Sequence, residues 1–143
     1  MRPFRHQQSG VSLLEVLIAV VVLSLGILGL AGLQMSALRN NQSSMERSMA
    51  VIESYSIVDA MRVDRDNAID GAFDITLDDD PEEGTFAGNE LVKWRARLIL
   101  LLGPAALGSV DCDGANCTVI VQWNDSRGTS GADQQQITTQ ARL

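Results

Sequence analysis

The chain has 143 residues, 45% of them apolar and only 4% aromatic, and its 18 acidic groups outweigh 11 basic ones for a net charge of −7. A surface that acidic opposes nucleic-acid binding over the whole protein, since such binding is carried by neutralising phosphates. The one histidine, His6, lies at the extreme N-terminus, and two cysteines, Cys112 and Cys117, are too few for a zinc site built from cysteine alone.

Residues 1–10 precede the apolar stretch and carry Arg2 and Arg5. From Val11 to Leu33 the chain carries a single charge, Glu15, and contains no proline. As a helix this stretch extends roughly 34 Å, against a hydrocarbon core of about 30 Å, so it is long enough to span a bilayer. The cationic flank precedes it and the acids other than Glu15 follow it, which predicts a cytoplasmic N-terminus and a periplasmic remainder. In that oxidising space Cys112 and Cys117 can pair.

Three readings compete for this segment: a secretory signal peptide ending at Gly29-Leu30-Ala31, a permanent anchor, or a segment cut before its apolar stretch. Glu15 bears on the choice, because a carboxylate inside an apolar helix costs roughly 2.5–3.5 kcal/mol on insertion scales. Four residues inside the apolar edge it can reach toward the headgroups, or it can meet a cation in an apolar assembly. A cut between Gly10 and Val11 would create a new α-amine four residues away, and a neighbouring subunit could supply that partner. The same cut would remove Arg2 and Arg5 and deepen the negative charge. Gly26, Gly29 and Gly32 recur every third residue, a spacing compatible with close helix packing or with the ordinary glycine content of membrane helices.

Beyond Gln34 the pattern becomes amphipathic. Met45, Met49, Ile52, Tyr55, Val58 and Met61 are spaced for one helical face, predicting an apolar stripe packed on a core over residues 34–70 and a stop between Asn67 and Gly71. Residues 71–88, with Asp78, Asp79, Asp80, Glu82 and Glu83 around Pro81, read as an exposed loop. A calcium site is the alternative there, against which stands the lack of the known calcium-loop spacing. Asn89 is placed to cap a short helix through about Leu102, and an alternating strand over the same residues is the alternative. In either form Lys93, Arg95 and Arg97 are expected to cluster.

Thr118 to Trp123 alternates as a half-buried strand, and Gly108 to Cys112 is a plausible partner across the turn Asp113-Gly114-Ala115-Asn116. A Cys112–Cys117 bridge would staple this hairpin; a metal held by the cysteines with Asp111 and Asp113 is the weaker alternative. Asp133 to Leu143 supplies a third strand with Ile137 on its buried side. The expected fold is α+β: a long N-terminal helix, its hydrophobic half protruding, packed on a small three-stranded antiparallel sheet in a domain over residues 71–143.

The residues Gly10-Val11-Ser12-Leu13-Leu14-Glu15-Val16-Leu17-Ile18-Ala19 resemble the N-terminus of type IV prepilins and pseudopilins: a short basic leader, a glycine before the cut, and a glutamate at the fifth mature position. Val11 stands where that family most often has phenylalanine, and the proline that many major pilins carry in this segment is absent. The resemblance implies a pilin-like fold, cleavage after Gly10 by a prepilin peptidase, N-methylation of Val11, and a role for Glu15 in docking into a growing filament. Val58-Asp59-Ala60-Met61-Arg62, Trp94 with its leucine-rich turn, and Cys117-Thr118-Val119-Ile120-Val121-Gln122-Trp123-Asn124-Asp125 resemble the PilV group of minor pilins.

That second resemblance implies a structural protein that is neither an enzyme nor a user of cofactors or metals. It would join or prime a type IV pilus near its tip together with other minor pilins and the major pilin. Its place would be the inner membrane before assembly and the pilus at the cell surface afterwards, with no nucleic acid expected as a partner. The competing expectations are a pseudopilin of a type II secretion system and, from another class, a signal-peptide-bearing periplasmic enzyme or binding domain. The last lacks a supporting constellation: there is no G-x-S-x-G, no Gly-rich phosphate loop, and no histidine beyond the leader. DNA capture, a third rival, would have only the Arg95 and Arg97 patch to use.

Overall fold

The computed structural model describes residues 12–129 and 131–143. The chain divides into two compact units, Met1–Ala37 and Leu38–Leu143. One helix, α1 (Leu13–Val63), begins in the first unit and supplies the N-terminal element of the second. It is followed by α2 (Arg65–Ile69), α3 (Phe86–Leu102), β1 (Leu107–Asp113), β2 (Asn116–Trp123) and β3 (Gln135–Arg142). The arrangement is α+β and pilin-like: a long N-terminal helix packed on a three-stranded antiparallel sheet of order β1-β2-β3.

α1 ends earlier than its amphipathic pattern predicts. Asp64 leaves helical geometry at φ −121°, its carboxylate accepts from Asn67 Nδ2 at 2.7 Å, and α2 adds one further turn before Gly71 turns the chain at φ 86°. The buried face of α1 also differs from the predicted stripe. It consists of Glu46, Ala50, Glu53, Ser54, Ile57, Val58 and Met61, whereas Met45, Ile52 and Tyr55 are exposed and Met49 is half-buried. The helix is apolar on two sides, and the side that meets the core is the one marked by polar residues with partners on other elements.

The N-cap of α3 lies four residues before the expected one. Thr85 is the N-cap and its Oγ1 accepts from Gly88 N–H at 3.0 Å, while Asn89 lies inside the helix and uses its Oδ1 to accept from Gly84 N–H. A side chain at Gly88 would run into the Glu82 carbonyl, so the bare glycine lets the acidic segment lie against this first turn. The preferred helical reading of residues 89–102 is what the structure shows.

The hairpin follows its alternation. Gly114 takes φ 56° while Ala115 keeps a negative φ, the glycine-first pattern of a two-residue hairpin turn. Cys112 and Cys117 face each other in the β1–β2 register and are joined by a disulfide. Cys117, Val119, Val121 and Trp123 are buried on one side of β2, where they meet Trp94 and Leu98 of α3 and Ile57, Val58 and Met61 of α1 in one core. The expectation of a wholly exposed segment at 71–88 fails at Phe73 and Ile75: both are buried, Ile75 bridges Val110 of β1, and Phe73 packs edge-on against Phe86 with ring centroids 6.4 Å apart.

Candidate functional site

The apolar stretch is the first candidate. Ser12 starts α1: its Oγ accepts from Leu14 N–H at 3.2 Å and its carbonyl accepts from Glu15 and Val16 N–H. Glu15 therefore sits in the first turn, where an acid is favoured by the helix dipole. Leu13, Leu14, Val16, Leu17 and the other large apolar residues through Leu33 are exposed within the chain. An added side chain at Gly26, Gly29 or Gly32 would meet nothing within 4 Å. Among the described residues this is one helix long and apolar enough to cross a membrane by length and composition. A continuous apolar surface of that extent needs lipid or other apolar helices around it. Gly10 and Val11, the two sides of the expected cut, lie outside the described residues.

The basic residues do not cluster. Arg95 is buried, donating from Nη1 to the Asp79 carbonyl (2.8 Å) and from Nη2 to the carbonyls of Thr76 (2.5 Å) and Gly108 (2.6 Å). Arg97 turns the other way and pairs with Glu53 at 3.0 Å, also donating to Ser56 Oγ. Lys93 pairs with Glu90 at 2.8 Å on an exposed turn. Residues two apart on a helix point in divergent directions, so the expected patch is corrected to three separate engagements, and DNA capture loses the surface it would have used.

The acidic segment is held from beneath by Arg95 and internally by a Thr76 Oγ1 to Asp79 Oδ2 hydrogen bond at 2.6 Å. Among the described residues no group of three or more His, Cys, Asp or Glu side chains is arranged to hold a metal ion. Next to it, Asp74 Oδ1 accepts from Cys112 N–H at 3.0 Å. Burial raises the Asp74 carboxyl above the usual carboxylate range, the Cys112 N–H opposes that shift, and the Asp111 charge adds to it. An acid whose folded-state pKa is raised favours folding more at low pH, so this group's contribution fades as pH rises through that pKa.

A second polar contact was not legible from local pattern. Asp125, 2% exposed, accepts from Ser43 Oγ at 2.6 Å and lies 3.7 Å from Arg47 Nη2, while Glu46 meets Gln42 at 3.1 Å and Arg127 at 3.6 Å. The loop after β2 is thereby fastened to α1 within the second unit. Its only sequence signal is the polar pair Asp125 and Arg127 placed just after a buried strand.

A family model described as the prokaryotic N-terminal methylation motif matches residues 5–31. No curated protein and no solved structure matches the chain significantly. The match runs from Arg5 across the Gly10-Val11 junction and Glu15 to Ala31 in the apolar stretch. It supports a type IV pilin-like or pseudopilin protein, structural in kind, processed by a prepilin peptidase and assembled with other pilins. An apolar N-terminal helix fits anchoring in the inner membrane and later incorporation into a filament.

Proposed function

We propose that this chain is a minor pilin of a type IV pilus, of the PilV group, that joins or primes the filament near its tip together with other minor pilins and the major pilin. The observation that carries the reading is the coincidence of the methylation motif at residues 5–31 with an apolar helical stretch whose large side chains from Leu13 to Leu33 are exposed among the described residues. In this reading residues 1–10 are a leader removed by prepilin peptidase, Val11 becomes the methylated N-terminus, residues 11–33 form the membrane and filament-core helix, and residues 34–70 continue it into a periplasmic domain over 71–143. The leader stays cytoplasmic and the domain is exported. The short resemblances around Val58–Arg62, Trp94 and Cys117–Asp125 favour the pilus over a type II secretion pseudopilin.

Mass spectrometry of the N-terminus of the membrane-extracted protein tests this directly. The expected start is Val11 carrying an N-methyl group. A start at Gly32 would make the chain a secreted soluble domain and a retained Met1 a plain anchor; either result overturns the pilin reading.

Within this reading Glu15 pairs with the Val11 amine of a neighbouring subunit, because a carboxylate in an apolar assembly is tolerable when paired. Glu15→Ala is expected to leave cleavage at Gly10 intact and to lower incorporation by about tenfold, the equivalent of roughly 1.4 kcal/mol. The measurement is the ratio of variant protein in sheared filaments to variant protein in membranes, and a wild-type ratio would remove the pairing from the mechanism.

A further inference from the structure

The sheet has two edges, and the chain treats them differently. On the outer side of β1, Val110 exchanges both backbone bonds with Ile75 (2.9 and 3.0 Å), Cys112 N–H is taken by Asp74 Oδ1, and the Gly108 carbonyl is taken by Arg95. That edge is closed. At β3, Leu143 N–H donates inward to the Ala115 carbonyl at 2.9 Å. The alternation of an antiparallel ladder then turns the backbones of Ile137, Thr139 and Ala141 toward β2 and those of Gln136, Thr138, Gln140 and Arg142 outward. Among the described residues no other element bonds to that outward side.

The usual protections of an edge strand are also missing. The β2–β3 register runs unbroken from Trp123↔Gln135 to Cys117↔Ala141 and Asn116↔Arg142, without a bulge, and β3 contains no proline, no lysine and no charge before Arg142. Natural sheets blunt exposed edges with such devices. The core is open on the same side, because Ile137, Ala141 and Leu143 pack against it yet stay only partly buried. Arg142, exposed at the end of the strand, makes no ion pair among the described residues.

We infer that β3 is a docking edge that receives an extended segment of a different subunit of the same filament, added to the sheet as a fourth strand through backbone hydrogen bonds. The segment carries apolar side chains on its inner face, where they complete the burial of Ile137 and Ala141, polar side chains on its outer face beside Gln136, Thr138 and Gln140, and an acid where it passes Arg142. A second copy of β3 is the poorer occupant. It would bring another arginine-tipped edge and a closed two-fold pair, whereas filament subunits follow one another head to tail. The choice of partner rests on the filament reading above; the open edge does not.

Thr138→Pro in the full-length chain tests the inference, since proline there removes one outward N–H while the ladder bonds of Ile137 and Thr139 to β2 remain, and proline is tolerated on a free edge. The variant is expected to be cut at Val11 and to fall at least about tenfold in sheared filaments, with Thr138→Ala at the wild-type level. Normal incorporation of Thr138→Pro overturns the inference, and with Val11 still the N-terminus it leaves the pilin reading standing. A start elsewhere than Val11 removes that reading instead. Hydrogen exchange on the wild-type chain answers the same question should the proline variant not fold. The amides of Thr138 and Gln140 are expected to exchange at least about tenfold more slowly in filaments than in detergent-extracted protein, and equal rates overturn the proposal. So does a Thr138→Cys variant that cross-links chiefly to a second copy of itself.

Discussion

Arg95→Ala is expected to destabilise the second unit by about 2–4 kcal/mol, seen as a lower denaturant midpoint for the detergent-solubilised, disulfide-intact chain followed by tryptophan fluorescence. Arg95 is 7% exposed and its guanidinium binds three backbone carbonyls: Asp79 and Thr76 of the acidic segment and Gly108 of β1. Burial pulls its pKa below the usual arginine range, and the charges of Asp80, Asp79 and Asp78 work against that pull. The side chain nonetheless stays charged, because an arginine begins so far above neutral pH. Removing it leaves carbonyls without a donor and brings like charges together with no cation among them, and a hydrogen bond to a charged group is worth about 1.5–3 kcal/mol. The bonds act as a unit, so the loss is less than their sum. Arg95→Lys is expected to recover only a minor part, since one ammonium cannot reach the three carbonyls that a planar fork spans. A midpoint equal to wild type in the alanine variant would show that the acidic segment is held by Ile75 and Phe73 alone.

The role of Arg95 shows where sequence reading stops. Its neighbours in the chain, Lys93 and Arg97, suggested a cationic cluster, but the groups that decide its orientation are main-chain oxygens of Thr76, Asp79 and Gly108, which carry no side-chain signal. The same holds for α1. Met45, Ile52 and Tyr55 form a convincing apolar stripe, yet the buried side is marked by Glu46 and Glu53, whose partners Arg127 and Arg97 lie far along the chain. Two acids on a helix read as a solvated face until those arginines are placed. By contrast, the hairpin was legible because its information is local: the Val119, Val121 and Trp123 alternation, a glycine in the turn, and two cysteines at directly opposed positions. The apolar segment was legible for the same reason, since length and the lone acid at Glu15 are properties of a continuous stretch.

Trp94 joins α3 to both the sheet and α1, and its removal is expected to have the larger effect. Trp94 is fully buried, its Nε1–H donates to the Glu53 carbonyl at 2.9 Å, and one turn further along α3 Arg97 holds the Glu53 carboxylate. The edge of the indole lies over Gly108 of β1: a side chain there would collide with the Trp94 ring and come within 2.8 Å of Leu98 Cδ1. Trp94→Ala is therefore expected to cost about 3–5 kcal/mol, as other large buried aromatics do. Gly108→Ala should cost about 1–3 kcal/mol by overpacking, since the added methyl meets the fully buried Trp94 ring and Leu98. These two changes are not independent, because the methyl added at position 108 enters the space that the missing indole leaves. In the double variant Trp94→Ala, Gly108→Ala the total loss is expected to fall short of the summed single losses by at least about 0.5–1 kcal/mol. Equilibrium unfolding of the three variants in the same detergent, followed through Trp123, which all three retain, gives that coupling directly. Strict additivity would mean that Gly108 is required by something other than the indole, and that α3 is fixed to the sheet chiefly through Leu98 and Leu102.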